Sequence, residues 1–361
     1  KQNKGTMKRS WAITLIIIGV AATASIFLYL AYNNEKPVVL PEERQGVAII
    51  MTGAAARIPQ EAALLEELDK RGMLDDIVFI SGVSSGALNA VLLNGIIDKK
   101  ITWKEYRNIL YSIKNKDIVV YDHVQFPFDT SPARALYTKI VEKKLGYKTI
   151  GDLPVTTSIS VAYIKKLPLK KVAYRMCSRK INEESDTTLN LVDILMASTA
   201  FPIVFPPVKI PNAKTIPDVE YIDGGVGDDE IPFKALLQFE KKRGIGVEKV
   251  FIISRNGDDA TKISEEIDAL GIDDDGVFDE LELTFDTFLK RGLIKRLKAY
   301  AVEAPELVPL TYVWIPDFKE NFPMFDFGTM KQQYNVTTRW AKKNPPTPFA
   351  EYLLPYLLEE K

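Results

Sequence analysis

The sequence predicts an α/β fold: a mostly parallel central sheet flanked by helices and preceded by one N-terminal transmembrane helix. Three observations carry that expectation. Apolar runs of strand length alternate with stretches of helical spacing from residue 46 onward. The apolar run ahead of Gly82 breaks into a Gly/Ser turn and resumes with helical periodicity. Residues 11–32 form an uncharged, almost wholly apolar stretch.

Residues 1–10 are a short tail bearing Lys1, Lys4, Lys8 and Arg9. As a helix, residues 11–32 reach roughly 33 Å at ~1.5 Å per residue, enough to cross the hydrocarbon core of a bilayer. The cations on the tail outweigh the mixed charge of Glu35 and Lys36, so the positive-inside bias keeps the tail cytoplasmic. That makes a single-pass membrane protein whose main domain lies on the non-cytoplasmic side. A cleaved signal peptide, with Ala22-Thr23-Ala24 as the cleavage triplet, is the competing reading. Against it, the apolar run continues through Leu30, beyond the usual ~7–15 residues. Residues 33–45, with Pro37 and Pro41 among charges, read as a linker, and residues 46–361 as the folded domain.

Composition narrows the function. With 46% hydrophobic residues in 361, the chain has material for a large core, and a net charge of -1 offers no basic surface to nucleic acid. Cys177 is the only cysteine and His123 the only histidine, so an intrachain disulfide and a Cys₂His₂ zinc site are excluded. No metal or cofactor is called for.

Val47-Ala48-Ile49-Ile50-Met51 reads as a buried strand. Residues 60–71, with Ala63, Leu64 and Leu68 on one face, read as a helix stopped by Gly72. A second strand, residues 77–80, leads into Gly82-Val83-Ser84-Ser85-Gly86 and a further helix. Strand, helix, strand, helix is a βαβ unit, whose loops after parallel strands gather at one sheet edge; the turn at Gly53 therefore belongs near Ser84. Residues 96–146 alternate charged and aromatic positions and are expected to be helical, broken by a loop at Pro127. Further strands are expected at 158–164, 172–177, 250–254 and 312–315, and Asn190 caps a helix that ends before Phe201-Pro202.

Chemistry concentrates at Ser84. In the Gly82-x-Ser84-x-Gly86 spacing, flanking glycines permit a sharp elbow that presents the central serine at a helix N-terminus, where free N–H groups stabilise negative charge. Ser84 is the candidate nucleophile, against the plainer reading of an ordinary strand-turn-helix corner. A serine needs a base, and no histidine follows any acid downstream of His123, so the Ser, acid, His order cannot be assembled. Tyr221-Ile222-Asp223-Gly224-Gly225 offers a carboxylate instead, with Gly224 and Gly225 allowing a tight turn. Asp223 is the candidate base; a simple Asp-Gly turn is the alternative.

The elbow through Ala90, the later Ala197-Ser198-Thr199-Ala200-Phe201-Pro202 with Phe205-Pro206-Pro207-Val208, and Tyr221-Ile222-Asp223-Gly224-Gly225 together resemble the patatin-like phospholipases. The resemblance runs from about Gly46 to Asp229. It implies that Ser84 and Asp223 form a dyad hydrolysing acyl esters of lipids, which agrees with the missing histidine. It also implies an oxyanion hole on the N–H groups of Gly53, Ala54 and Ala55, supported by Arg57. One motif departs: where the family carries three glycines, this chain reads Gly53-Ala54-Ala55-Ala56-Arg57. Alanine keeps the N–H, but its Cβ costs ~1–2 kcal/mol in a left-handed conformation. Three functions follow: a membrane-anchored lipid acyl hydrolase, a catalytically silent lipid- or partner-binding relative, or an acyltransferase to an alcohol or lysolipid.

Two other stretches resolve to ordinary roles. Asp273-Asp274-Asp275-Gly276 with Asp279 and Glu282 would place Gly271 at the first ligand position of a calcium loop, so it reads as a solvated acidic loop. The basic amphipathic stripe from Phe285 to Lys298 reads as a helix packed on the sheet.

Overall fold

In the computed structural model, the apolar run Val47–Met51 is the middle strand of a nine-stranded sheet. All five of its residues are buried. Side chains alternate across a strand, so Ala48 and Ile50 face one helical layer while Val47, Ile49 and Met51 face the other. A strand covered on both faces needs no polar side, which is why it reads as a continuous hydrophobic run. The structure describes residues 41–358 except 42, 54, 121–126, 167–168, 182–186, 203, 214–218, 257–292, 321, 323 and 325. The apolar stretch 11–32 expected to span a membrane, nearly all of the expected linker, Ala54, His123, the stretch near Asp274 and the first half of the amphipathic stripe lie outside the described residues. Among the described residues no helix is long and apolar enough to cross a membrane.

Five strands run parallel in the order β3 (Thr156–Lys166), β2 (Ile77–Val83), β1 (Val47–Met51), β7 (Lys249–Ile253), β8 (Thr311–Trp314). The expectation of a mostly parallel sheet holds for this centre and needs correction at its flanks. There β4 (Leu169–Cys177) and β6 (Glu220–Asp223) pair antiparallel with β3, β5 (Val208–Lys209) with β6, and β9 (Thr347–Pro348) with β8. For β3 and β4 the cause is connection length. Parallel neighbours need a crossover helix between them, and the short link from β3 to β4 leaves no room for one.

Helices cover both faces. On one side lie α1 (Ile58–Lys70) and α2 (Ser85–Ile97), the latter buried from Ser85 to Gly95. The region expected to be helical over 96–146 resolves into α3 (Trp103–Ser112), capped by a Thr102/Glu105 box, and α4 (Ser131–Tyr137), which runs on into a π-helical segment Thr138–Lys144. Asn190 caps α5 (Leu191–Ser198) by accepting the Asp193 N–H at 3.0 Å. On the other side are α6 (Lys234–Arg243) and the helical stretch 293–303, whose Leu293, Leu297 and Tyr300 pack with Phe233 and Leu236 over β1. The described half of the amphipathic stripe thus packs inward, as its periodicity predicts. Helices α7 (Met330–Ala341) and α8 (Phe349–Leu358) complete the chain.

Candidate active site

The sheet register itself brings Ser84 and Asp223 together. One edge of β3 is taken by β4, from Ser158↔Cys177 to Lys166↔Leu169. The opposite edge is shared: β2 occupies it as far as Val83↔Ser160, and antiparallel β6 takes over at Asp223↔Val161. The two strands therefore meet end to end at consecutive residues of β3, about 3.3 Å apart along the strand. Ser84 follows Val83 and Asp223 ends β6, so each side chain leaves its strand at that junction. The Ser84 hydroxyl lies near enough to the Asp223 carboxylate to favour its ionised form. The Gly225 N–H donates to Asp223 Oδ1 at 2.8 Å.

The elbow is strained at the serine. Ser84 sits at φ 54°, ψ −132°, a region that costs a non-glycine residue ~1–3 kcal/mol. Its N–H donates to Ser198 Oγ at 2.9 Å, and Ser198 Oγ donates to the Ser160 carbonyl at 2.7 Å. The Asp223 N–H donates to the Ala200 carbonyl at 3.0 Å. The Ala197-Ser198-Thr199-Ala200 motif is thus a brace: one residue holds the elbow and the next but one holds the carboxylate strand. Gly82 and Gly86 are required for close approach and not for a left-handed backbone. A Cβ on Gly82 would lie 2.4 Å from Gly86 O, and one on Gly86 2.1 Å from Thr52 O. Gly224 is held the same way, its Cβ position 2.5 Å from Ser160 Oγ.

The Gly53 turn reaches the elbow, as the parallel topology predicts: a Cβ on Gly53 would stand 2.2 Å from Ser84 Cβ. Ala55 adopts φ 46°, so the left-handed cost anticipated for the alanines falls on it. Two contacts from far along the chain pin this loop. The Ala56 N–H donates to Met324 O at 2.7 Å, and buried Arg57 donates through Nε to Phe322 O at 2.7 Å. Ala56 is therefore committed elsewhere, and among the described residues Gly53 and Ala55 supply the N–H groups of this turn. Arg57 braces the loop.

Burial sets the electrostatics. Asp223 is 3% exposed, and loss of solvent raises its pKa to about 7, against the lowering effect of the Ser84 and Gly225 hydrogen bonds. Glu230, which sequence reasoning missed, lines the same cleft and is likewise raised to about 7 by burial, opposed by Arg255, whose Nη1 lies 3.5 Å away. Ser84 opens onto an apolar cleft lined by Leu88, Ile113, Leu136, Met196, Phe205 and Phe327 among others. Neither Glu230 nor Ser198 carries a local signal of its role, although Ser198 lies in the motif that matched. Among the described residues no cluster of ligating side chains suits a metal ion.

A strained serine and a buried aspartate thus line one apolar cleft on an α/β sheet. The family model for patatin-like phospholipase matches residues 49–237, more than half of the chain, and the protein belongs to that family of lipid acyl hydrolases. No curated protein matches the chain. Among solved structures it is similar to VipD from Legionella pneumophila, at 12% identity over 87% of this chain and 73% of that one, with a TM-score of 0.36. It is similar also to ExoU of the Pseudomonas aeruginosa type III secretion system, solved with SpcU, at 15% identity over 74% and 60%, TM-score 0.30. Human GIVD cytosolic phospholipase A2 matches at 15% identity over 45% and 26%, TM-score 0.27. The chain spans less than two thirds of the last two proteins.

Proposed function

We propose that the protein is a membrane-anchored serine acyl hydrolase that cleaves acyl esters of phospholipids or related lipids through a Ser84–Asp223 dyad. The observation that carries this reading is the approach of Ser84 to buried Asp223 where β2 and β6 meet, both residues lining an apolar cleft. Asp223 takes the Ser84 proton as Oγ attacks the ester carbonyl. The N–H groups of the Gly53 turn, Ala54 and Ala55 included, hold the oxyanion, and the proton passes to the leaving alcohol. Water then attacks the acyl-serine with Asp223 again as base, which releases the fatty acid and restores the serine. A base whose pKa lies near 7 suits this exchange, because it both accepts and returns a proton at neutral pH. Residues 11–32 hold the domain beside its substrate on the non-cytoplasmic face, which raises the effective concentration without new contacts.

The test is hydrolysis of phosphatidylcholine vesicles and of short-chain p-nitrophenyl esters by the full chain. Ser84→Ala and Asp223→Asn should each lower kcat about 10³-fold or more with folding intact. A folded wild type that hydrolyses neither substrate contradicts the reading and favours a lipid- or partner-binding protein. Activity that appears only when an alcohol or lysolipid acceptor is added identifies an acyltransferase.

A further inference from the structure

Behind the cleft, buried polar side chains join the elements that carry the site, and Glu61 is their hub. It is 0% exposed and lies on α1, directly after the Gly53 turn. Thr52 Oγ1 stands 3.1 Å from Glu61 Oε1, and Asn89 Nδ2 donates to Oε2 at 3.0 Å. Thr52 immediately precedes Gly53, while Asn89 belongs to α2, which Ser84 opens. Asn89 is fixed in turn: its Nδ2 also donates to Ile58 O at 3.2 Å, and its Oδ1 accepts the Tyr106 hydroxyl at 2.7 Å. On the other side Thr52 Oγ1 lies 2.6 Å from Ser254 Oγ, which accepts Arg255 Nη1 at 3.1 Å.

A carboxyl group without water is an unfavourable core filler, since a leucine would pack there with no desolvation cost. What leucine would not do is satisfy Thr52 and Asn89, which would be left buried and unpaired. The spacing at stake is tight: a Cβ on Gly53 would sit 2.2 Å from Ser84 Cβ. Misplacement by ~1 Å at such a site costs about 10²-fold in rate.

We propose that Glu61 is a positioning residue which, as a neutral carboxylic acid, ties the strand end carrying the Gly53 turn to the helix carrying Ser84 and so fixes the oxyanion loop against the nucleophile. This rests on the acyl-transfer reading given above. In the neutral form the Glu61 proton goes to Thr52 Oγ1, whose own hydrogen turns to Ser254 Oγ. In the ionised form Thr52 must donate to Glu61 and Ser254 to Thr52, so losing the proton reverses the chain. Facing Glu61 are Thr52 from just after β1, Asn89 from α2, Tyr106 from α3, and Ser254 and Arg255 from just after β7. Of these Arg255 alone is a cation. Burial outweighs it and the Asn89 bond and raises the Glu61 pKa to about 8.

The experiment measures kcat and KM for a short-chain ester between pH 5.5 and 10, with the full-length wild type, Glu61→Gln and Glu61→Leu, folding being checked by circular dichroism. Wild-type kcat should fall above pH 8 at near-constant KM. Glu61→Gln, neutral at every pH and able to bond both partners, should keep kcat within about 3-fold at pH 7 and lack that fall. Glu61→Leu should lose about 30-fold or more in kcat with KM within about 3-fold. A folded leucine variant with wild-type kcat, or a glutamine variant with the same alkaline fall, overturns the proposal. If the leucine variant does not fold, the glutamine and wild-type profiles decide. A wild type inactive at every pH overturns the acyl-transfer reading and this proposal with it; an active wild type with indifferent Glu61 variants overturns this proposal alone.

Discussion

At Asp223 the requirements of the proposed chemistry and of stability oppose each other. Its folded pKa of about 7 lies above the unfolded value of 3.8, so the stability linked to its protonation is complete below pH 3.8 and is lost as pH rises through 7. In the proposed mechanism hydrolysis needs the ionised form, so activity should rise over the same interval, with an acid limb near pH 7 in kcat. Asp223→Asn should therefore be inactive yet melt higher than wild type at pH 8, with no gain at pH 3.5; thermal denaturation at the two pH values checks this. Ala55 gives a second prediction. Relief of its φ of 46° is worth ~1–2 kcal/mol and exceeds the ~0.4–1 kcal/mol lost through a freer unfolded chain. Ala55→Gly should then stabilise the fold by about 0.5–1 kcal/mol. Both residues were legible in the sequence because each stands in a short motif. Asp223 precedes two glycines, and Ala55 replaces one. Glu61 and Glu230 were not, since a lone acid on an amphipathic helix or after a turn has the same pattern whether it faces water or a buried hydroxyl.

Among the elements, α5 and the segment around Phe322 do work that no local pattern announces. Ser198 accepts the Ser84 N–H and donates to Ser160 O, so Ser198→Ala removes a partner from each of two backbone groups. At ~1–3 kcal/mol for each group left unsatisfied, it should lower the melting temperature and also slow hydrolysis, because the strain at Ser84 loses its brace. Urea denaturation together with kcat measures the two effects separately. The central strands were legible because a fully buried strand is an uninterrupted apolar run, and the order of strand and helix dictated parallel pairing there. The flanks were not: β3 to β4 and β6 on β3 are decided by connection length and by which edge of β3 remains free after β2 ends. The meeting of β2 with β6, and the hold of Phe322 and Met324 on Arg57 and Ala56, join residues far apart in the chain. Such pairings leave no periodicity to read.

For the molecule as a whole, the proposed membrane anchor and the proposed dyad are tested separately. If residues 11–32 span a bilayer with the N-terminal cations inside, protease added outside intact cells or opened envelopes should reach the domain after Gly46, while a cytosolic control stays protected. A native protein that begins near Ser25 would instead mark the stretch as a cleaved signal. The sheet brings Ser84 and Asp223 together, and the central claim is that this pair is chemically active. A fluorophosphonate probe tests it most directly, because it labels a serine only where a base and an oxyanion site converge on it. Mass spectrometry of labelled full-length protein should find the probe on Ser84, absent from Ser84→Ala and strongly reduced in Asp223→Asn. Folded wild-type protein that takes up no probe at Ser84 would contradict the account.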